Sequence, residues 1–351
     1  MSVHLLGSCS PGEVRCALVE DDELIEYALW RPGAPDGVGD VCRGTVTARV
    51  AAMSGSFVSL NGSDGFLPDS EAPGRVSVGE RLLVRVTRAA QGGKGPRLTA
   101  RLTQAERERG EVPGPGALVE LMARVPGAAV SVDDSALAAA LHVRQVPRAF
   151  DAVLEAEIAG LAEPVVELDG GARLAIHPTP ALVAIDVDSG SAGGPHQALN
   201  RAIIPALARQ IRLRGLSGAI LVDFAGLSAR RRAALGPALV EALAGDPLRP
   251  RLLGFTALGL AEIVRPRVHP PLHELLAGPH AAGLAALRAL AGVCAAPPHR
   301  LPALRAAPAV VAALQADAGA LADLARRAGR GLMLRADPML GANAWVMESD
   351  G

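Results

Sequence analysis

Apolar and polar positions alternate with a period of two in short runs over the first hundred residues, then give way to longer apolar runs and helical spacing. Val14, Cys16 and Leu18 alternate, the acidic turn Glu20-Asp21-Asp22 follows, and another apolar run completes the pattern of a hairpin within residues 3–30. The loop Pro32-Gly33-Ala34-Pro35-Asp36-Gly37 marks a boundary. From 41 to 102 the chain reads as short alternating strands (Val46/Ala48/Val50, then 57–60, 82–86 and 98–102) parted by Gly, Ser and Asn turns, the spacing of a small β-barrel. Residues 106–115 are charged, then rich in Gly and Pro, and read as a linker. Beyond it, 131–141 and 151–161 are expected to be helices, and 164–176, with the turn Asp169-Gly170-Gly171, a hairpin.

The most informative stretch is the apolar run Leu182-Val183-Ala184-Ile185, which ends in Asp186-Val187-Asp188-Ser189-Gly190. Leu199, Ile203, Leu207 and Ile211 then recur at helical spacing, and a second apolar run, 219–222, ends in Asp223. Pro205 should begin or kink the middle helix. A strand, a helix and a second strand in one sheet form a parallel unit, and ligands gather at the carboxyl ends of such strands. Asp186 and Asp223 both stand there. If the strands are neighbours the two carboxylates converge, and like charges so close repel unless a cation lies between them. Mg²⁺ suits the place, because it takes one or two carboxylates and completes its shell with water and phosphate oxygens. Asp188, on the same side of an extended chain, is placed to orient a water or join the shell. The competing reading is that such aspartates cap helices or build turns, a role that Asp188-Ser189-Gly190 suits. Further on, 252–255 is a third short strand, 262–267 follows it, 268–279 is a Pro/His-rich loop, and 284–351 is an Ala/Leu-rich unit with a helix over 320–328.

Composition narrows the classes. The chain has 351 residues, half of them hydrophobic and a fifth charged, which excludes a disordered chain and gives enough length for several cores. The net charge of -1 gives the whole molecule no electrostatic reason to bind nucleic acid, so any such binding must be local. Two clusters qualify. Arg81, Arg85, Arg88, Lys94, Arg97 and Arg101 fall in a stretch without an acidic residue, as do Arg201, Arg209, Arg212 and Arg214. A solvated charged face is the favoured reading of either patch taken alone. Aromatic residues are only 2% of the chain, yet Phe57 and Phe66 both fall in the barrel, where rings beside arginines form a stacking platform for unpaired bases. Cys9, Cys16, Cys42 and Cys294 make no C-x-x-C pair. With no secretory signal and no apolar run of membrane-spanning length, a cytoplasmic location and no membrane partner are expected.

At this point the residues resemble a known family, the bacterial ribonuclease E/G endoribonucleases. VCRGTVTARVAAMSGSFVSLNGSDGFLP is similar to the family's S1-type barrel and GGKGPRLTARL to its closing strand. LDGGARLAIHPTPALVAIDVDSG, ARQIRLRGLSGAILVDF and GFTALGLAEIVRPR resemble successive motifs of its catalytic core. The resemblance implies a multidomain α/β (mixed α+β) protein. A ribonuclease-H-like module (1–37 and 117–178) is split by an inserted S1-type OB barrel (38–102) and a linker (103–116). A DNase-I-like catalytic core (179–279) and a small C-terminal α/β domain (280–351) follow. It places the two magnesium-binding catalytic aspartates on Asp186 and Asp223, with Asp188 assisting, and the RNA contacts of the barrel on Phe57, Phe66 and Lys94. Arg97, Arg212 and Arg214 are the basic residues expected to join them. The family's core Asn falls on Asn200, with no chemistry assigned. The implied activity is Mg²⁺-dependent internal cleavage of single-stranded RNA, leaving a 3′-hydroxyl and a 5′-phosphate, in RNA processing or decay.

Three departures modify this. Asp188 stands where the family has Asn, adding a negative charge. About a dozen residues fill the place of the domain that senses a 5′-monophosphate, so indifference to the RNA 5′ end is expected. The zinc-link C-x-x-C is replaced by Leu276-Ala277-Gly278-Pro279-His280. His269, His273 and His280 lack ligand spacing, so no zinc site and no zinc-linked dimer are expected, and the number of subunits is left open. Arg230-Arg231-Arg232 either touches RNA or faces water, and the second reading is preferred. The rival reading is a non-catalytic RNA-binding or regulatory protein on a degenerate scaffold.

Overall fold

The computed structural model describes residues 2–60, 62–114, 116–296 and 301–348; Asn61 of the barrel stretch and Pro115 of the linker lie outside them. The chain forms two compact units, one of Met1–Pro35, Gly116–Ala162 and Leu272–Gly351, the other of Asp36–Pro115 and Glu163–Pro271.

In the first unit, Val3–Ser10, Glu13–Glu20 and Glu23–Trp30 form an antiparallel meander. Ala129–Val132 adds to it in parallel beside Val3–Ser10. The helix expected over 131–141 is therefore shorter. Val130 and Val132 suit a strand, and Asp134 starts the helix Ser135–Leu141 by accepting from the Leu137 amide at 2.9 Å. The C-terminal residues pack with this meander rather than standing as a separate domain. The buried Glu13 carboxylate sits between Arg31 at 2.9 Å and Arg288, on the helix Gly278–Ala295, at 2.7 Å. Among the described residues no single helix is long and apolar enough to cross a membrane.

The second unit contains a closed barrel and a six-stranded sheet. The barrel joins Val41–Val50, Gly55–Leu60, Ser63–Pro68, Arg97–Thr99 and Arg81–Arg88 around Val46, Val58, Leu67, Val84, Val86 and Leu98. The stretch read as a linker begins with the helix Gln104–Arg109. Its Thr103/Glu106 capping box and the Arg85–Glu106 ion pair dock it on the barrel.

The sheet runs Val165–Glu167, Arg173–Pro178, Val183–Asp188, Gly218–Asp223, Ala261–Arg265, Arg251–Phe255. Its second and third strands pair antiparallel from Arg173↔Asp188 to Pro178↔Val183, so the boundary expected at 178/179 falls inside a hairpin and residues 163–178 belong with the core. The expected period-two pattern buries Val183, Ile185 and Val187 with Ile220 and Val222 against Ile203, Ile204, Leu207 and Ile211 of the helix His196–Leu213. Pro205 lies inside that helix without ending it. It sits on an exposed face, where water can satisfy the carbonyl that loses its amide partner.

One buried ion pair fixes the far side of this sheet. Arg265 grips Asp246 through Nε–Oδ2 at 2.7 Å and Nη2–Oδ1 at 3.2 Å, and both side chains are under a tenth exposed. Breaking one partner strands a buried charge, whereas removing both leaves an apolar gap. Arg265→Met should lower unfolding free energy in urea by about 3 kcal/mol, and Arg265→Met with Asp246→Leu should recover most of it.

Candidate functional site

The parallel pairing of Val183–Asp188 with Gly218–Asp223 sets Asp186 directly opposite Asp223. Neighbouring strands lie about 4.8 Å apart, so the two carboxylates leave adjacent backbones at the carboxyl end of the parallel pair. Asp186 is exposed and makes no recorded hydrogen bond or ion pair; the Asp223 side chain is 47% exposed. Asp186 is open to solvent while Asp223 Oδ1 is buried without a hydrogen-bond partner, and two such oxygen-bearing groups on adjacent strands suit a hard divalent cation that retains waters. Among the described residues no cluster of three His, Cys, Asp or Glu side chains gathers to hold a metal, so this is a two-carboxylate arrangement.

The end of the Asp223 strand is held from beneath. Asn200, fully buried one turn into the crossover helix, donates to the carbonyls of Ala225 at 2.8 Å and His196 at 2.7 Å, and accepts from the Ala225 amide at 3.1 Å. Its amide thus pairs both backbone groups of Ala225 and ties the turn after Asp223 to the helix start. Gly226 completes the turn at φ +59, where a Cβ would meet the His196 ring at 2.6 Å. The sequence placed Asn200 in the core without a role. A buried Asn at a helix start, facing the strand that bears an acidic residue, was the available signal.

Arg232 was missed. The Arg230-Arg231-Arg232 run was read as solvated, yet Arg232 is 15% exposed and its Nη1 lies 2.6 Å from Asp223 Oδ1. Gly259, at φ +83, makes this approach feasible, since a Cβ there would stand 2.9 Å from Ala229 Cα and 3.1 Å from Arg232 Cδ. The turn must lack a side chain for the short helix Ala229–Ala233 to lie close.

Asp188 takes the competing role that the Asp-Ser-Gly sequence suited, that of a turn builder. Oδ2 receives Arg173 Nη2 at 2.6 Å, and Oδ1 receives the Gly190 amide at 2.9 Å. Arg173 lies on the strand flanking Val183–Asp188 on the side away from Asp223, so the Asp188 carboxylate is committed to a turn and an ion pair. The Gly190 amide, then Arg173, hold its pKa below the usual carboxylate value.

Phe57, Phe66 and Arg97 are brought together on the barrel, and Arg212 and Arg214 stand elsewhere. Phe57 pairs with Phe66, and Phe66 with Arg97, across three strands; the rings meet edge to face with centroids 5.8 Å apart. Val58 is buried while Phe57 and Phe66 are half-buried, and Lys94 and Arg97 are exposed. Arg214, by contrast, is buried, donating to Gln210 Oε1 at 2.9 Å and to the Glu163 carbonyl at 2.6 Å, which makes it an internal tether. Arg212 donates to the Gly245 carbonyl at 3.4 Å. Both stand at the end of the crossover helix opposite Asp186 and Asp223, so alternation of strand and helix removes them from the carboxylates. His269 pairs with Asp36 at 2.7 Å and His280 with Asp317 at 2.9 Å.

Residues 130–268, which contain both aspartates, match the Ribonuclease E/G family. The similarity to that family is carried by this segment. It is 36% identical over 129 residues to ribonuclease E of Nostoc sp. (strain PCC 7120), covering 35% of this chain and 19% of that protein. It is 36% identical over 132 residues to ribonuclease G of Escherichia coli K12, covering 35% and 27%. To ribonuclease E of the same bacterium it is 32% identical over 160 residues, covering 44% and 15%. The aligned segment thus spans less than a third of each of these relatives, and in ribonuclease E/G terms the barrel lies outside the residues that the family match covers.

Two outcomes follow from this geometry. Asn200→Ala strands the Ala225 amide and carbonyl; it should cost about 2 kcal/mol in urea unfolding and speed hydrogen exchange at the Ala225 amide. Because the Asp188 pKa is lowered on folding, its contribution to stability is present above the unfolded carboxylate pKa and is lost as pH falls through the folded value. NMR titration should place its midpoint below 3.8, and Arg173→Gln should raise the midpoint only part of the way, since the Gly190 amide remains.

Proposed function

We propose that this protein is an Mg²⁺-dependent endoribonuclease that cuts single-stranded RNA internally. The observation that carries this reading is the pairing of Asp186 with Asp223 across adjacent parallel strands, within the segment matched to the ribonuclease E/G family. Asp186 and Asp223 would hold the ion, which when bound polarises the phosphoryl oxygen and lowers the pKa of a coordinated water. Asn200 and Gly226 keep Asp223 in place, and Arg232 sets a guanidinium beside it, where it can donate to a non-bridging phosphate oxygen. Phe57 and Phe66 stack unpaired bases, with Lys94 and Arg97 beside the backbone. Cleavage is indifferent to the RNA 5′ end. Between the barrel strand Arg97–Thr99 and the helix Ala117–Arg124, the one helix or strand longer than a single bridge among the described residues is Gln104–Arg109.

A second reading, RNA binding without turnover, rests on a specific contact: Arg232 already occupies Asp223 Oδ1, and Arg173 occupies Asp188. One assay separates the two. The protein is incubated with a fluorescent A/U-rich single-stranded RNA, with Mg²⁺ or EDTA, beside Asp186→Asn and Asp223→Asn. Metal-dependent cleavage that both substitutions abolish is the expected result; binding with no cleavage by the unmodified protein would establish the second reading. Phe57→Ala should weaken RNA binding by about 1 to 3 kcal/mol, and swapping a 5′-triphosphate for a 5′-monophosphate should leave the cleavage rate unchanged.

A further inference from the structure

The two oxygens of Asp223 stand in different surroundings. Oδ1 is buried and has no hydrogen-bond partner, yet Arg232 Nη1 lies 2.6 Å from it, so charge attraction holds the pair while no N–H is aligned on the oxygen. The 47% exposure of the Asp223 side chain therefore falls on Oδ2 and the carbons. The Arg232 donors are equally unspent. Its Nε is buried without a partner, and its planar fork matches phosphate oxygens as well as it matches a carboxylate. The stem is fixed where the head is not. The Gly259 turn stands so near that a Cβ there would be 3.1 Å from Arg232 Cδ, and rotation beyond Cδ re-aims the guanidinium without moving the helix Ala229–Ala233. While Arg232 faces Oδ1 it offsets the charge of Asp223, and Asp186 alone offers a cation an uncompensated carboxylate.

We propose that Arg232 couples the divalent ion to the RNA: it rests on Asp223 in the free protein and transfers to a phosphate oxygen of the arriving strand, which releases the full charge of Asp223 to the ion. The coupling deepens the ribonuclease reading and rests on it for the identity of both ligands. Without RNA, the carboxylates of Asp186 and Asp223 with the Arg232 guanidinium leave one net negative charge, a weak hold on a divalent cation. Once Arg232 has turned to the phosphodiester, both carboxylates act on the cation undiminished. Each ligand then strengthens the other by the same factor, because coupling between two sites is reciprocal. The transfer exchanges one charge contact for another. No covalent bond breaks and no proton moves, since the guanidinium stays charged throughout.

The first measurement needs no RNA. Mn²⁺, which suits the same oxygen ligands, is titrated into the full chain and its bound fraction read by electron paramagnetic resonance. Arg232→Met keeps the bulk of the stem and removes the charge, and it should bind Mn²⁺ about tenfold more tightly than the unmodified protein, the order that Coulomb's law gives for one unit charge near a divalent ion in water. Arg232→Lys keeps the charge and should bind Mn²⁺ as the unmodified protein does. A merely structural role predicts the opposite sign, weaker Mn²⁺ binding with a lower melting temperature. That result, or an unchanged affinity in Arg232→Met, would overturn the proposal. The second measurement reads the coupling. In cleavage of a fluorescent A/U-rich RNA, the Mg²⁺ concentration at half rate should fall as RNA goes from subsaturating to saturating, and the fall should be about tenfold smaller in Arg232→Met. An equal fall in both proteins overturns the transfer and leaves the endonuclease reading intact. If the unmodified protein cuts nothing, the endonuclease reading fails, and the coupling is read instead as the ratio of RNA affinities in Mn²⁺ and in EDTA by fluorescence anisotropy. A ratio about tenfold smaller in Arg232→Met upholds the coupling, and equal ratios overturn it.

Discussion

Every feature of the end that carries Asp186 and Asp223 depends on the register between two parallel strands. Side chains alternate with a period of two, so Ile185 and Val222 can enter the core only if Asp186 and Asp223 point the other way. A one-residue slip of either strand would carry an aspartate into a cluster built of Ile203, Ile204, Leu207 and Ile211, at the cost of burying a charge without a partner. The hydrophobic contacts of the crossover helix therefore fix the separation of the two carboxylates, although none of them touches a carboxylate. Asn200 extends this control from the side chains to the backbone, since its amide satisfies both polar groups of Ala225 and leaves the turn after Asp223 one way to lie.

Charge is distributed along the second unit in a way that the net value conceals. The balance of -1 for the whole chain coexists with local separation, Asp186 and Asp223 at one end of the parallel pair and Arg88 and Arg97 paired on the barrel. A polyanion drawn to the arginines meets aromatic rings beside them and carboxylates only at a distance. On the proposed reading, attraction and chemistry are thereby separated in space, which avoids placing cations where they would pair permanently with Asp186 and Asp223. Arg232 is the exception, and its single contact with Asp223 leaves Asp186 open.

Much of this was legible because it depends on local periodicity. The two apolar runs ending in acidic residues, the helical spacing between them and the alternating barrel strands each follow from side-chain geometry within one element. What was not legible depends on which element lies next to which. Arg214 counts as a basic residue in sequence, but the close of its helix turns it inward toward Gln210 and the Glu163 carbonyl. Arg232 sits in a triplet that looks solvated until the Gly259 turn admits its helix to the sheet. Asp188 shares a strand face with Asp186, and only the order of strands shows that its nearer neighbour is Arg173. Residues 131–141 joined a strand and a helix because Val and Ala satisfy both patterns over so short a span.

An acid rather than an amide at position 188 is consistent with the charge balance around Asp186 and Asp223. An additional carboxylate two residues from Asp186 would repel a phosphodiester if it stood alone, but Arg173 neutralises it at 2.6 Å and Arg232 offsets Asp223 at the same distance. Three carboxylates and two guanidiniums leave one net negative charge, centred on Asp186, which has no partner of its own. A divalent cation held there inverts that to one net positive charge, the amount that a single phosphodiester cancels. An Asn at 188 with Arg173 retained would leave the carboxylates and guanidiniums in balance before any ion arrived, and so would weaken the pull on a cation. On the proposed reading, the Asp188–Arg173 pair thus keeps the charge near Asp186 suited to a divalent ion while committing the added acid to the neighbouring strand and its own turn.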